Sequence, residues 1–208
     1  MHSEQPERVS GEAGRLTLYL SEGSIDKFVY LLQSGIRVRS TTGELLGLFL
    51  EKLPGFSVDY IIDEVQTIFL DGTAIDDLQT PLTGESPVVA LSAAMPGLSG
   101  AIFRRNSIHA ALRTVTANTN TPENSAPQPI DVTLKLFNAI AREKGPQLLR
   151  EGITIRSASV LDYLNTRKWL LNHIHRTRST QNENGTAASF PGLLEDSEWL
   201  HLTFVEEK

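Results

Sequence analysis

The chain contains no cysteine. That excludes disulfide staples, thiolate metal sites and a cysteine nucleophile, and it fits a reducing compartment. Methionine and tryptophan are scarce, at two residues each. Long apolar runs are missing as well. Val88 to Met95 is among the longest, far short of the ~20 residues that a membrane-spanning helix needs. The opening MHSEQPERVSGEAG is polar and lacks the apolar stretch of a secretory signal. These absences predict a soluble, cytoplasmic protein without a membrane role. The sequence offers no cofactor motif, so the expected cofactor is none.

What is there is ordinary globular material, with 40% hydrophobic and 21% charged residues over 208 positions. The net charge of −6 is unevenly placed. Residues 1–100 hold 6 basic and 14 acidic side chains, a balance of −8; residues 101–208 hold 13 and 11, a balance of +2. This asymmetry argues for two units. The basic residues of the back half look scattered along the chain, which argues against a nucleic-acid partner.

Periodicity divides the chain further. Residues 1–14 read as a flexible leader. Arg15–Leu20 and Ile36–Arg39 alternate like strands. Ile25–Gln33 has helical spacing and ends at Gly35. Thr41 and Glu44 stand at capping-box spacing before a helix that Pro54-Gly55 stops. Phe56–Ile62 reads as a short strand, and Val65–Leu70 and Pro87–Ala94 as two more, with Asp71-Gly72 a turn. Ile102–Thr114 reads as a helix and Val115–Pro129 as a linker. Val160–His175 is helical by pattern, 177–192 is a polar low-complexity loop, and Trp199–Val205 alternates as a closing strand.

The chain then echoes itself. Asp131–Leu136 repeats the pattern of Arg15–Leu20, and Leu148–Ser157 repeats that of Leu31–Ser40, at offsets of 116 and 117 residues. Chance and internal duplication both account for such short words.

The order strand, connection, strand, capped helix and two strands separated by D-G and T-G-E turns resembles a β-grasp, the ubiquitin-like fold. Within it, residues 15–101 are similar to the sulfur carriers, the small subunit of molybdopterin synthase and its thiamine-biosynthesis relative. The carrying residues are Leu16–Leu20, Glu44–Leu53, Phe69-Leu70-Asp71-Gly72, Thr80–Glu85, Val88–Leu91 and the tail Met95-Pro96-Gly97-Leu98-Ser99-Gly100-Ala101. The resemblance implies an α+β fold with a β-grasp module at 15–101; a helix and linker at 102–129 and a second small α/β module at 130–208 follow, the second module being a degenerate repeat of the first if the echo is a duplication and not chance. It also implies a link to sulfur or to molybdenum and tungsten cofactor metabolism. The family's terminal Gly-Gly is absent, since Ser99-Gly100 stands there and the chain runs on to Lys208.

The expected function is therefore a non-enzymatic, partner-binding accessory protein. Met95, Leu98, Ser99, Gly100, Ile102 and Phe103 are the expected contacts with a protein partner, and homo-oligomerisation is left open. One alternative is a carrier matured by cleavage near Gly100. Another is a serine hydrolase, since Gly97-Leu98-Ser99-Gly100-Ala101 has the form of a nucleophile elbow with Asp196 and His201 downstream. The bland reading of Ser99 is a helix cap. His173, His175 and Asp162 lack a metal-site spacing, and Asp71, Asp76 and Asp77 read as a solvated turn. Arg104, Arg105 and Arg113 are expected to pair with the acidic front half, and Trp169 and Trp199 to anchor the core.

Overall fold

The computed structural model describes residues 13–93, 95, 97–113, 126–179, 185–186, 194 and 197–207. The fold is mixed α+β. Nine strands form one sheet: β1 (Gly14–Ser21), β2 (Ile36–Thr41), β3 (Thr67–Leu70), β4 (Thr73–Ala74), β5 (Val88–Ser92), β6 (Pro129–Leu136), β7 (Ile153–Arg156), β8 (Ile174–Ser179) and β9 (Trp199–Glu207). Among the described residues five α-helices accompany them: α1 (Leu46–Glu51), α2 (Val58–Asp63), α3 (Gly97–Phe103), α4 (Asn138–Glu151) and α5 (Ser157–Asn165). No described helix is long and apolar enough to cross a membrane.

The strand order is β4-β3-β5-β6-β2-β7-β9-β1-β8. The two halves of the chain interleave in it. β1 lies between β8, antiparallel, and β9, parallel, so both its neighbours come from beyond residue 126. β2 lies between β6 and β7, antiparallel to each. β6 in turn runs parallel to β5. Each opening strand thus pairs in parallel with the closing strand of the other half.

Alternation decides the two faces, because successive side chains on a strand point opposite ways. Leu16, Leu18 and Leu20 of β1, Val132, Leu134 and Leu136 of β6, Ile153 and Ile155 of β7, and Leu200, Leu202 and Phe204 of β9 are all buried. They meet a layer made by α4, α5 and two short 3-10 segments, Ile25–Lys27 and Val29–Ser34, in one continuous core. Phe28 from that layer packs on Phe204, ring centroids 5.4 Å apart.

Several local expectations change. Ile25–Gln33 is two 3-10 segments rather than one helix. The capping box does not form: Glu44 accepts from the Ser40 hydroxyl at 2.5 Å and from Lys52, and the helix begins later, at Leu46, without a side-chain cap. Burial raises the Glu44 carboxyl, but these two donors outweigh it and hold the carboxyl below its ordinary range. Phe56–Ile62 is not a strand; Val58–Asp63 is helical, with the Ser57 hydroxyl accepting from the Tyr60 N–H at 3.2 Å. Val160–His175 is not one helix but α5 followed by a 3-10 segment, Lys168–His173.

The longest helix, α4, runs straight through Gly145-Pro146. A Cβ at Gly145 would lie 2.8 Å from Val29 Cγ1 and 3.1 Å from Leu32 Cδ1. Glycine is there so that the helix can approach the 3-10 layer closely, not to end the helix. The residues that end the paired helical segments are Gly35 and Gly152. Gly35 has φ/ψ of 100/129 and Gly152 has 102/138, a region open to glycine and closed to residues with a Cβ. Trp169 is half exposed and Trp199 lies on the outer side of the sheet, so neither is a core anchor.

Candidate functional site

The expected contact segment is a helix and not an extended tail. Gly97–Phe103 forms α3 beside β3, where Phe103 packs on Phe69 with ring centroids 5.4 Å apart. Leu98 is 73% exposed, while Ile102 and Phe103 are half buried. Gly100 is buried, and a Cβ there would strike the carbonyl oxygen of Met95 at 1.7 Å. The side chain of Ser99 lies outside the described residues.

Three arginines fasten the chain after α3. Arg105 donates through its backbone N–H to the Gln66 carbonyl at 2.7 Å, and through Nη1 to the carbonyls of Ile61 and Val65 at 2.9 and 3.1 Å. Burial lowers its guanidinium pKa, and Asp76 opposes this. Arg104 Nε donates to Gln66 Oε1 at 2.7 Å. Arg113 donates to Asp76 Oδ2 at 2.7 Å and to the Ile102 carbonyl at 2.8 Å. A shallow cleft of about 320 Å³ remains between Ile62, Gln66, Arg104 and Arg105. These contacts, mostly to backbone carbonyls and to Asp76, staple the segment to the front half.

The other candidates separate. His201 is on β9, and β5, β6, β2 and β7 stand between β9 and the β3 edge where α3 packs. At ~4.8 Å per strand that is about 24 Å, so the structure does not bring α3 and His201 together; Asp196 lies outside the described residues. His173 Nδ1 meets the Ser24 hydroxyl at 3.2 Å and His175 Nε2 meets the Ser21 hydroxyl at 3.0 Å. Asp71, Asp76 and Asp77 each accept from a different backbone N–H: Val88, Asn106 and Gln79. Among the described residues no three His, Asp or Glu side chains could hold a metal ion.

The conspicuous chemistry is on the face of the sheet that the main helical layer leaves uncovered. Cross-strand register builds it row by row. Thr133 of β6 stands opposite Arg37 of β2, Arg37 opposite Thr154 of β7, Thr154 opposite His201 of β9, and His201 opposite Arg15 of β1. A neighbouring row sets Arg156 opposite Trp199. Further along β1, Thr17 faces Arg178 and Tyr19 faces Arg176, while Arg39 faces Asp131. Lys135 shares the side of Thr133 by alternation. The side chains of Lys135 and Thr133 crowd the outer side of Gly35, at 3.3 and 2.7 Å from where its Cβ would lie, and His201 and Thr203 crowd that of Gly152, at 2.6 and 3.0 Å.

This face carries Arg15, Arg37, Arg39, Lys135, Arg156, Arg176 and Arg178, against Asp131 and Glu207 from its own strands. Arg37 meets Asp131 at 3.5 Å, Arg156 meets Glu198 at 3.5 Å, and Arg176 meets Glu207 at 2.6 Å. That last hydrogen bond raises the Arg176 pKa and lowers that of Glu207. Among the described residues no carboxylate pairs with Arg15, Arg39 or Lys135. Two aromatic rings are interleaved. The Arg37 and Arg156 guanidinium carbons lie 4.1 and 4.9 Å from the Trp199 ring centroid, and that of Arg176 lies 3.6 Å from the Tyr19 ring. Among the described residues, α3 covers the β3 end of this face; there Thr67, on the side of Phe69, is fully buried.

Sequence reasoning missed this surface because its cations are contributed by five strands spread over more than 160 residues. The available signal was local, the alternation in Arg37-Val38-Arg39 and Arg176-Thr177-Arg178. On a strand, that spacing puts both cations on one side.

Comparison with protein-family models, curated proteins and solved structures finds no match to this chain.

Proposed function

We propose that this protein is a non-enzymatic binding module that holds an anionic partner on the open face of its sheet. The observation that carries this reading is the segregation of charge. A chain with a net charge of −6 gathers seven arginines and lysines on one sheet face. Positive side chains crowded together repel one another, and a polyanion relieves that repulsion while releasing its own counterions. The face is also built on a nine-stranded sheet over a single core, a rigid base for an extended ligand.

A β-grasp origin fits the same reading. A β-grasp pairs its opening strand in parallel with its closing strand, and that pairing occurs twice, β1 with β9 and β6 with β5. The matched backbone of Gly35 and Gly152, each between a helical segment and a strand, supports a duplicated unit with exchanged opening strands. A second reading, of docking to a protein partner through α3 and the segment after it, draws on the exposure of Leu98, Ile108 and Leu112 at 73%, 92% and 67%. It predicts that Leu98→Asp abolishes partner capture without affecting the sheet face.

Retention on a heparin column tests the main reading. With a sequence pI near 5.4 the chain should be repelled by heparin at pH 7. The proposal expects retention at low salt, elution with added salt, and loss of retention in Arg15→Glu/Arg39→Glu. Passage in the void volume at low salt refutes it.

A further inference from the structure

We infer that the anion on the open face is a single-stranded nucleic acid, an inference that rests on the anion-binding reading above. The argument is about what lies between the charges. Five adjacent strands, β6, β2, β7, β9 and β1, carry the row Thr133, Arg37, Thr154, His201 and Arg15. At ~4.8 Å per strand it spans about 19 Å. It combines two hydroxyls with two guanidiniums and an imidazole, polar groups of the kind that contact phosphate oxygens.

Beside it lie planar groups. The Trp199 indole carries the Arg37 and Arg156 guanidiniums, and the Tyr19 ring carries that of Arg176. Nucleobases stack on aromatic rings and on arginine planes alike, and each stacked base adds substantially to binding of a single strand. Bases inside a duplex are already stacked and do not offer these surfaces. An acidic protein partner fits less well, because protein interfaces have an apolar centre. From β6 to β8 the aliphatic side chains on this face, among the described residues, are Pro129 and Val205.

The test is fluorescence anisotropy of the full chain with a labelled 12-nucleotide oligo-U or oligo-dT, the same-length blunt duplex, and polyglutamate as competitor. The expected result is binding of the single strand in preference to the duplex, with log K falling against log salt at a slope of about −2 to −3.5, three to five phosphates at ~0.7 each. Trp199→Ala should weaken binding about fivefold to 150-fold, one stacked base. Arg39→Ala, at an exposed position, should weaken it and flatten the salt slope. Trp169→Ala should leave it unchanged. Circular dichroism of each variant separates lost contacts from lost folding. Equal binding of duplex, or competition by polyglutamate as strong as by unlabelled oligonucleotide, overturns the nucleic-acid inference and leaves a general anion-binding face. Absence of binding to every polyanion overturns both.

Discussion

Splitting the chain between residues 113 and 126 should leave neither part able to fold alone. In fragment 1–113, β1 and β2 keep no strand partner, because β8, β9, β6 and β7 are all in the other fragment. Only β3, β4 and β5 stay paired. The cost can be sized from β1 alone. Leu16, Leu18 and Leu20 are at most 2% exposed, and burying a leucine side chain contributes about 1.5–3 kcal/mol. Exposing three therefore removes roughly 5–9 kcal/mol, as much as the whole net stability of an ordinary domain, about 5–15 kcal/mol. Each fragment alone should give a collapsed amide proton spectrum and no cooperative thermal transition. Equimolar mixing should restore both, since the interleaved ladders can form between separate chains. A cooperative melt of isolated 1–113 would refute the reasoning, because it would mean that the front strands find partners among themselves.

Three further outcomes follow from individual contacts. Gly145→Ala should lower stability by up to about 2 kcal/mol in urea unfolding: the helix gains about 1 kcal/mol from alanine, but a Cβ 2.8 Å from Val29 overpacks a tight contact at a cost of about 1–3 kcal/mol. Glu206 is raised by burial, but Arg150 at 2.9 Å and the Ile25 N–H at 3.1 Å outweigh this and lower its pKa. Its contribution is therefore present above the ordinary value of 4.5 and is lost as pH falls through the lower folded value. Glu206→Gln should flatten that acid limb of the urea midpoint against pH. Asp76→Asn should cut hydrogen-exchange protection of the Asn106 N–H at least severalfold, because Asp76 holds that N–H and the Arg113 guanidinium together; unchanged protection would count against the staple.

The strands were legible where alternation is strict. Arg15–Leu20, Ile36–Arg39, Asp131–Leu136 and Trp199–Val205 all lie within β1, β2, β6 and β9. Their partners were not, since pairing is a long-range choice among similar apolar faces and no local pattern says that β6 enters between β5 and β2. Helix α4 was hidden by Gly145-Pro146, whose breaker signal is overridden by packing on Val29 and Leu32. Val58–Asp63 has an apolar run too short to tell helix from strand. Trp199 was misplaced for a similar reason: indole surface is as well satisfied by guanidinium planes as by a core. The helix expected at Ile102–Thr114 stands instead at Gly97–Phe103, where Phe103 packs on Phe69, and turns and a short 3-10 segment at Ala110–Leu112 follow it.

The most direct test of the open-face account is a proton–nitrogen NMR titration of the full chain with the oligonucleotide. The two tryptophans give two indole signals, one on the open face and one from Trp169 on the connection between α5 and β8. The account predicts that the Trp199 indole and the amides of Arg37, Thr154 and His201 shift together and saturate, while Trp169 stays still. A silent Trp199, with shifts gathered instead on α3 and the segment to Leu112, would contradict it.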